Sequence, residues 1–120
     1  MFEIVVEHTF AAAHALRNYK GKCENVHGHN YRVQVGLEGA QLDENGLLYD
    51  FTELKKRLRA TSEYLDHRFI NELKPFDKTN PSAENIAKFI FDEIQRDIEP
   101  APLAFVKVWE TDTSCAVYRP

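Results

Sequence analysis

The chain has 120 residues, with 15 Lys and Arg against 19 Asp and Glu, so its formal net charge is −4 when the five histidines are neutral. This acidic balance argues against a nucleic-acid-binding protein. With 43% hydrophobic and 28% charged residues the composition is that of an ordinary globular protein, and the length predicts one domain, residues 1–120, whose folding buries roughly two-thirds of the unfolded surface.

The sequence also predicts where the protein resides. No apolar run approaches the roughly 18 residues that cross a bilayer, and the N-terminus carries acids where a signal peptide needs a basic region. We therefore expect a cytoplasmic protein without a membrane partner. Two cysteines, Cys23 and Cys115, are too few for a disulfide framework, so each is expected to be a free thiol, a metal ligand or a nucleophile. Cys115 lies in an alternating run, where core packing is expected.

Two alternating runs in the first third of the chain predict strands. Residues 2–14 place apolar side chains and His14 on one face, because every second residue of a strand points the same way. A stretch with glycine and lysine interrupts this pattern. Residues 31–37 then alternate again, and the same face extended backwards reaches His29 and His27.

A helix follows the second run. Residues 43–46 predict a turn, and a short apolar piece leads from it into a segment with helical spacing that stops near Leu65. Asp50 with Glu53 predicts a capping box at the start of this helix.

The last third of the chain predicts a second helix and two more strands. Ser82 is suited to cap the helix, which ends before Pro100, and residues 103–110 and 115–118 alternate again. The order strand, strand, helix, helix, strand, strand favours an α+β protein with a four-stranded antiparallel sheet and both helices on one face. Such a sheet leaves two edges open, which predicts pairing between subunits.

The densest cluster of reactive side chains lies between Cys23 and His29. His27 and His29 are two residues apart on one strand and project from the same face, a spacing typical of metal ligands, and Gly28 leaves the opposite side open. Two solvated histidines are the alternative. His14 also ends a strand face, however, and adjacent antiparallel strands can bring three imidazoles to one point. Three histidines with an open fourth position describe a catalytic zinc site.

The segment before this pair offers a thiol and three cations. Cys23 allows three interpretations, namely a fourth zinc ligand, a thiolate that acts as a base beside zinc, and a buried small side chain. Arg17, Lys20 and Lys22 can dock an anionic substrate group or can simply be solvated.

Two carboxylates complete the set of candidate residues. Asp66 precedes His67 at the end of the first predicted helix, where a carboxylate can fix the tautomer of an imidazole, although two solvated loop residues are the alternative. Glu110 ends an apolar strand face, and a buried carboxylate needs hydrogen-bond donors. The NH and NH₂ edge of a heterocycle would supply two donors, so Glu110 is a candidate ligand clamp, with an exposed edge glutamate as the alternative.

These motifs together resemble the family of 6-pyruvoyltetrahydropterin and 6-carboxytetrahydropterin synthases, which have the tunnelling fold. The resemblance spans nearly the whole chain and follows the family order. It covers Phe10 to His14, Cys23 with His27-Gly28-His29, Gly46 to Phe51, Leu65-Asp66-His67, Pro81 to Asn85, and Trp109-Glu110-Thr111.

The resemblance implies a role for each matching residue. The zinc ligands would be His14, His27 and His29. Cys23 would be the catalytic thiol, Asp66 and His67 would complete a proton relay, and Glu110 would anchor the pterin. The substrate implied is 7,8-dihydroneopterin triphosphate, and zinc is the only cofactor implied. The family forms ring trimers that stack as hexamers around a barrel, with sites shared between subunits.

Within the family, the three-residue gap between Cys23 and His27 is similar to the 6-carboxytetrahydropterin synthase of queuosine biosynthesis, because pyruvoyl-forming relatives usually have a longer gap. Glu24 lies beside the thiol, and a branch that makes 6-hydroxymethyldihydropterin uses a glutamate in this region. A non-catalytic zinc or pterin carrier is the alternative from another class, and it would have no use for Cys23.

The chain departs from the family pattern at Ala83, where many members carry a hydroxyl residue that contacts the pterin. The resemblance therefore does not extend to a side-chain contact from this position. Ser82 and Glu84 remain as candidate substrate-binding residues.

Overall fold

The computed structural model describes residues 1–18, 21 and 24–120. Its elements are β1 (Phe2–His14), β2 (His27–Gly39), α1 (Phe51–Leu65), a short 3₁₀ helix (Ile70–Glu72), α2 (Ala83–Ile98), β3 (Leu103–Thr111) and β4 (Ser114–Tyr118). Cys23, Lys20 and Lys22 lie outside the described residues, so the predictions for them stay predictions.

The four strands form one antiparallel sheet in the order β1-β2-β3-β4, which confirms the predicted architecture. The long strands β1 and β2 pair over their whole length, from Phe2 opposite Gly39 to His14 opposite His27. This register is what brings the ends that carry the histidines side by side.

Alternation along the strands directs one face of the sheet into the core. On that face Val6 lies opposite Val35, and Val35 lies opposite Val106. Helix α1 packs against β1, and α2 packs against β3 and β4, so both helices cover this same face. No helix in the described part of the chain is long and apolar enough to cross a membrane.

The predicted helix boundaries agree with the structure at their caps. Asp50 accepts the N–H of Thr52 at 2.8 Å, and Ser82 accepts the N–H of Asn85 at 3.2 Å. Each cap satisfies one of the backbone donors that the first turn of a helix leaves without a partner. The Ser82 cap fixes the start of α2 close to the end of β1.

The segment between the two helices returns to the outer edge of β1. Ala13 forms a parallel bridge with Phe69, and its N–H donates to the carbonyl of Arg68 at 3.0 Å. The chain itself therefore covers this sheet edge at Ala11 and Ala13, on the side where the histidines lie.

Candidate metal centre

Three imidazoles and one carboxylate meet at the histidine end of the sheet. One nitrogen or oxygen atom from each of His14, His27, His29 and Glu110 lies within 4.8 Å of every other, a group that can hold a metal ion. The strand register explains this, because His14 is opposite His27 and Ala12 is opposite His29. The convergence expected from the sequence spacing is thus present within a single chain.

The hydrogen bonds of His14 and His27 define which ring nitrogens are free. His14 Nδ1 lies 2.7 Å from the carbonyl oxygen of Pro81, and His27 Nδ1 lies 2.7 Å from that of Asn25. A carbonyl oxygen only accepts hydrogen bonds, so in both rings Nδ1 is the donor. In the neutral form of each ring, Nε2 then carries a lone pair.

These two lone pairs face each other, since the Nε2 atoms of His14 and His27 are 3.0 Å apart. Two neutral acceptors at this distance repel unless a cation lies between them. Two nitrogens bound to one tetrahedral zinc at about 2.0–2.1 Å are about 3.3 Å apart. The donor set and its spacing therefore fit a zinc ion.

The contacts of His29 and Glu110 also indicate a site for a cation. His29 Nε2 is buried and makes no hydrogen bond of good geometry with the described residues, although Glu110 Oε1 is 3.2 Å away. A buried polar atom without a partner is costly, and a bound cation would satisfy it.

Burial favours the neutral form of two of these imidazoles, His14 and His29. Desolvation lowers the pKa of both His14 and His29, against the opposing effect of the nearby Glu110 carboxylate, which favours their charged forms. For His14 the hydrogen bond to the Pro81 carbonyl also opposes the shift. The neutral form is the one that binds metal ions.

Tyr31 is a residue of this site that the sequence did not reveal, because its position in an alternating run is that of ordinary core. Its ring packs against His14 and His29, with ring centroids 5.9 and 5.5 Å apart. Its hydroxyl is buried without a hydrogen-bond partner among the described residues, and burial raises its pKa, so it stays protonated.

A cavity of about 350 Å³ adjoins Glu110. Its lining consists of Ala83, Glu84, Glu110 and residues Ser114, Cys115, Ala116 and Val117 of β4. The structure thus places Glu84 beside Glu110 at one cavity, whereas the Ser82 hydroxyl is engaged as the cap of α2.

The expectation of core packing for Cys115 is wrong: its thiol is exposed, because Ala116 and Tyr118 take the core-facing positions of β4.

Asp66 and His67 lie elsewhere, at the end of α1 on the outer edge of β1. Asp66 Oδ1 accepts the N–H of Ala11 at 2.9 Å and lies 2.9 Å from His67 Nδ1. Adjacent residues rarely point together, and here they do because His67 has a φ of 57°. The Ala11 N–H, and after it His67, holds the pKa of Asp66 below its ordinary value.

The Arg17 side chain is not aimed at open solvent. Its guanidinium donates to the carbonyl oxygen of Phe76 at 2.7 Å and to two further carbonyls of the same loop at 3.3 Å. The sequence suggested an anion site at this position, but the observed contacts give Arg17 a structural role in the described part of the chain.

Comparison with known proteins identifies the family to which this architecture belongs. The family model of 6-pyruvoyl tetrahydropterin synthase matches residues 3–120. The chain belongs to this family. The resemblance seen in the sequence motifs is thereby confirmed.

Individual members of the family cover nearly the whole chain. It is 32% identical to the 6-carboxy-5,6,7,8-tetrahydropterin synthase of Haemophilus influenzae over 147 residues, covering 99% of both chains. It is 36% identical to the protein of that name from Bacillus subtilis over 128 residues, covering 99% of this chain and 86% of the relative. The structure of Caenorhabditis elegans 6-pyruvoyl tetrahydropterin synthase matches with a TM-score of 0.87 and 30% identity, covering 100% and 97% of the two chains. These likenesses support a pterin synthase activity.

Proposed function

We propose that this protein is a zinc-dependent 6-carboxy-5,6,7,8-tetrahydropterin synthase that serves queuosine and 7-deazapurine biosynthesis. It converts 7,8-dihydroneopterin triphosphate to 6-carboxytetrahydropterin, acetaldehyde and triphosphate. The observation that carries the proposal is the group of three imidazoles and Glu110 beside a cavity with a second carboxylate, Glu84. The full-length relatives named for this activity support it.

The proposed reaction balances without an external oxidant or reductant. The pterin ring gains two hydrogens as dihydropterin becomes tetrahydropterin, and the side-chain carbon attached to the ring is oxidised to a carboxyl group. Triphosphate leaves by elimination, and one water supplies the second oxygen of the carboxyl group when the bond between the first two side-chain carbons breaks. Retro-aldol cleavage of the side chain releases the remaining two carbons as acetaldehyde. The chain therefore needs groups that move protons, and no nicotinamide or flavin.

The residues at the sheet end divide into metal ligands and a substrate anchor. His14, His27 and His29 would hold zinc, which when bound acts as a Lewis acid and acidifies C–H and O–H groups next to a bound oxygen. Glu110 would accept the NH and NH₂ donors of the pterin ring from the cavity side. Glu84 would line the same cavity, and Ser82 is retained as a substrate contact from the family resemblance.

Proton transfer is assigned to Cys23, Asp66 and His67. A thiolate at Cys23 would remove a proton from the side chain of the substrate, and His67 would return one, with Asp66 holding its Nδ1. The His67 side chain is 82% exposed and does not belong to the group of three imidazoles and Glu110 in its own chain. We therefore propose that it serves the site of a neighbouring subunit in a homo-oligomer, a hexamer built from two trimers.

Two other products and one other class of function compete with this proposal. The Caenorhabditis elegans protein is named for pyruvoyl formation, and Glu24 beside the thiol is compatible with formation of 6-hydroxymethyldihydropterin. A zinc or pterin carrier would need the histidines and Glu110 alone. The gap between Cys23 and His27 favours the carboxy product.

Product analysis separates these alternatives. Purified zinc-loaded protein is incubated with 7,8-dihydroneopterin triphosphate under anaerobic conditions, and the pterins are identified by mass spectrometry. We expect 6-carboxytetrahydropterin together with an equal amount of acetaldehyde. Pyruvoyltetrahydropterin or hydroxymethyldihydropterin as the main product would replace the proposed reaction, and unchanged substrate would favour the carrier.

A further inference from the structure

Two asparagine side chains hold the main chain just beyond His14. The N–H of Ala15 donates to Asn71 Oδ1 at 2.9 Å, and the carbonyl of Ala15 accepts from Asn71 Nδ2 at 2.8 Å. Asn80 binds Arg17 in the same way: the N–H of Arg17 donates to Asn80 Oδ1 at 2.7 Å, and the carbonyl of Arg17 accepts from Asn80 Nδ2 at 2.9 Å. Each carboxamide satisfies both backbone groups of one residue, as a neighbouring strand would.

Asn80 is fixed from two further directions. The Arg17 guanidinium, whose own main chain is held by Asn80, donates to the Phe76 carbonyl at 2.7 Å and so ties down the loop before Asn80. On the other side, Asn85 of α2 donates its Nδ2 to the Asn80 carbonyl at 2.9 Å. The backbone at Asn80 is therefore held through its side chain by Arg17, three residues beyond the end of β1, and through its carbonyl by α2.

The next residue, Pro81, is buried and lies between Asn80 and the Ser82 cap of α2. Its carbonyl oxygen is 2.7 Å from His14 Nδ1. We infer that Asn80 is a positioning residue of the metal centre, because its clamp on Arg17 fixes the Pro81 carbonyl that orients the His14 imidazole. This inference rests on the proposed role of His14 as a zinc ligand.

The chemical effect of this contact is on the tautomer and orientation of His14. An accepting carbonyl at Nδ1 keeps the proton there and leaves the Nε2 lone pair directed at the other imidazoles. Groups that orient a metal ligand in this way typically contribute about 10-fold to 100-fold to metal affinity. Without the clamp, only the contacts with α2 hold the backbone at Pro81, so we expect its carbonyl to shift and the ring of His14 to turn.

Asn71 supplies a matched control within the same chain. It makes the same pair of bonds, to Ala15, but it lies in the 3₁₀ helix, and no hydrogen bond among the described residues joins it to Asn80 or Pro81. If the asparagines serve stability alone, removing either carboxamide lowers the melting temperature by a similar amount and alters zinc affinity to the same small extent.

The test measures zinc affinity of metal-free Asn80→Ala and Asn71→Ala by competition with a chromophoric chelator. We expect Asn80→Ala to bind zinc about 10-fold to 100-fold more weakly than the wild type, and Asn71→Ala to bind it within about 3-fold. Wild-type affinity in Asn80→Ala, or an equal loss in both variants, would overturn the inference. If Asn80→Ala does not fold, Asn80→Asp, which keeps the oxygen that accepts from Arg17, takes its place.

A second measurement needs no metal. Nitrogen-15 NMR of metal-free wild-type protein should show the His14 proton on Nδ1, and in Asn80→Ala a mixture with the Nε2–H tautomer. Wild-type protein with its proton on Nε2 would overturn the inference even without any variant. A wild type that binds no zinc would instead refute the proposed function, while the tautomer would still decide the role of Asn80.

Discussion

The histidines at the two sides of β1 differ in nearly every physical respect. His14 is 1% exposed and packs against two other imidazoles, with ring centroids 4.5 and 5.1 Å away. The His67 side chain is 82% exposed and pairs with the Asp66 carboxylate. The first group has its partners within one chain, whereas the second is oriented by its own chain and directed outwards. The proposed shared site would combine the two by drawing His67 from a second subunit.

Removal of a cluster histidine should have the largest effect on metal binding. We expect His29→Ala to lower zinc affinity at least about 100-fold, more than the loss of a group that merely orients a ligand. Metal analysis after dialysis measures this. His8→Ala is the control, because it removes a half-buried histidine that lies on β1 outside the cluster, and it should keep one zinc per chain. Stoichiometric zinc in both His27→Ala and His29→Ala would place the metal elsewhere.

Removal of the thiol should affect turnover without affecting the cluster. Cys23→Ala is expected to reduce turnover by about 100-fold to 10,000-fold and to leave zinc content and substrate affinity nearly unchanged, because a base is lost and no ligand. Zinc, affinity and turnover are measured on one preparation. Release of zinc would identify Cys23 as a fourth ligand, and a lower melting temperature with full activity would identify it as packing.

Mixing two kinds of variant subunit extends this prediction to Asp66 and His67. Subunits with Cys23→Ala and subunits with His67→Ala should each be inactive, and after subunit exchange a fraction of the sites would contain both intact groups. We expect partial recovery of activity. Demonstrated exchange without recovery would contradict the shared site.

Substitution of Glu110 shows whether this residue binds the pterin or the metal, since it belongs to the metal-binding group and also lines the cavity. Glu110→Gln keeps the shape but loses the charge and presents an NH₂ group to ring donors, so we expect pterin affinity to fall about 10-fold or more, with zinc content unchanged. Calorimetry with a dihydropterin measures the affinity. Unchanged affinity would remove Glu110 from the pterin site, and loss of zinc would make it a metal ligand.

Asp66 should have the smallest effect, on the pH dependence of stability. Its pKa lies below the ordinary value of 3.8 in the folded protein, so its charge stabilises the fold above about pH 4, and this contribution disappears as the pH falls through the lower folded-state pKa. Asp66→Asn keeps an acceptor for the Ala11 N–H without the charge. We expect the free energy of unfolding of the wild type to fall more steeply on acidification than that of Asp66→Asn. Parallel curves from urea unfolding would contradict this.

Much of the fold could be predicted because it depends on local patterns. Alternation over residues 2–14 and 31–37 predicts two strands, and the caps at Asp50 and Ser82 predict where the helices begin. The same patterns failed for Cys115, since alternation shows which residues share a face and not which face is buried. The carboxamides of Asn71 and Asn80 gave no signal either, because asparagine in a loop is common whatever its role.

The sequence by itself determined the family through the order of its motifs, and the element order through its alternating and helical patterns. It also predicted that His14, His27 and His29 converge, because strand periodicity places His27 and His29 on one side of the sheet. Only the tertiary structure decided that β1 and β2 pair in the register that sets His14 opposite His27. It also decided that the Pro81 carbonyl, far along the chain, reaches the ring of His14. Register and long-range contacts of this kind arise from packing of the whole chain, which local pattern does not encode.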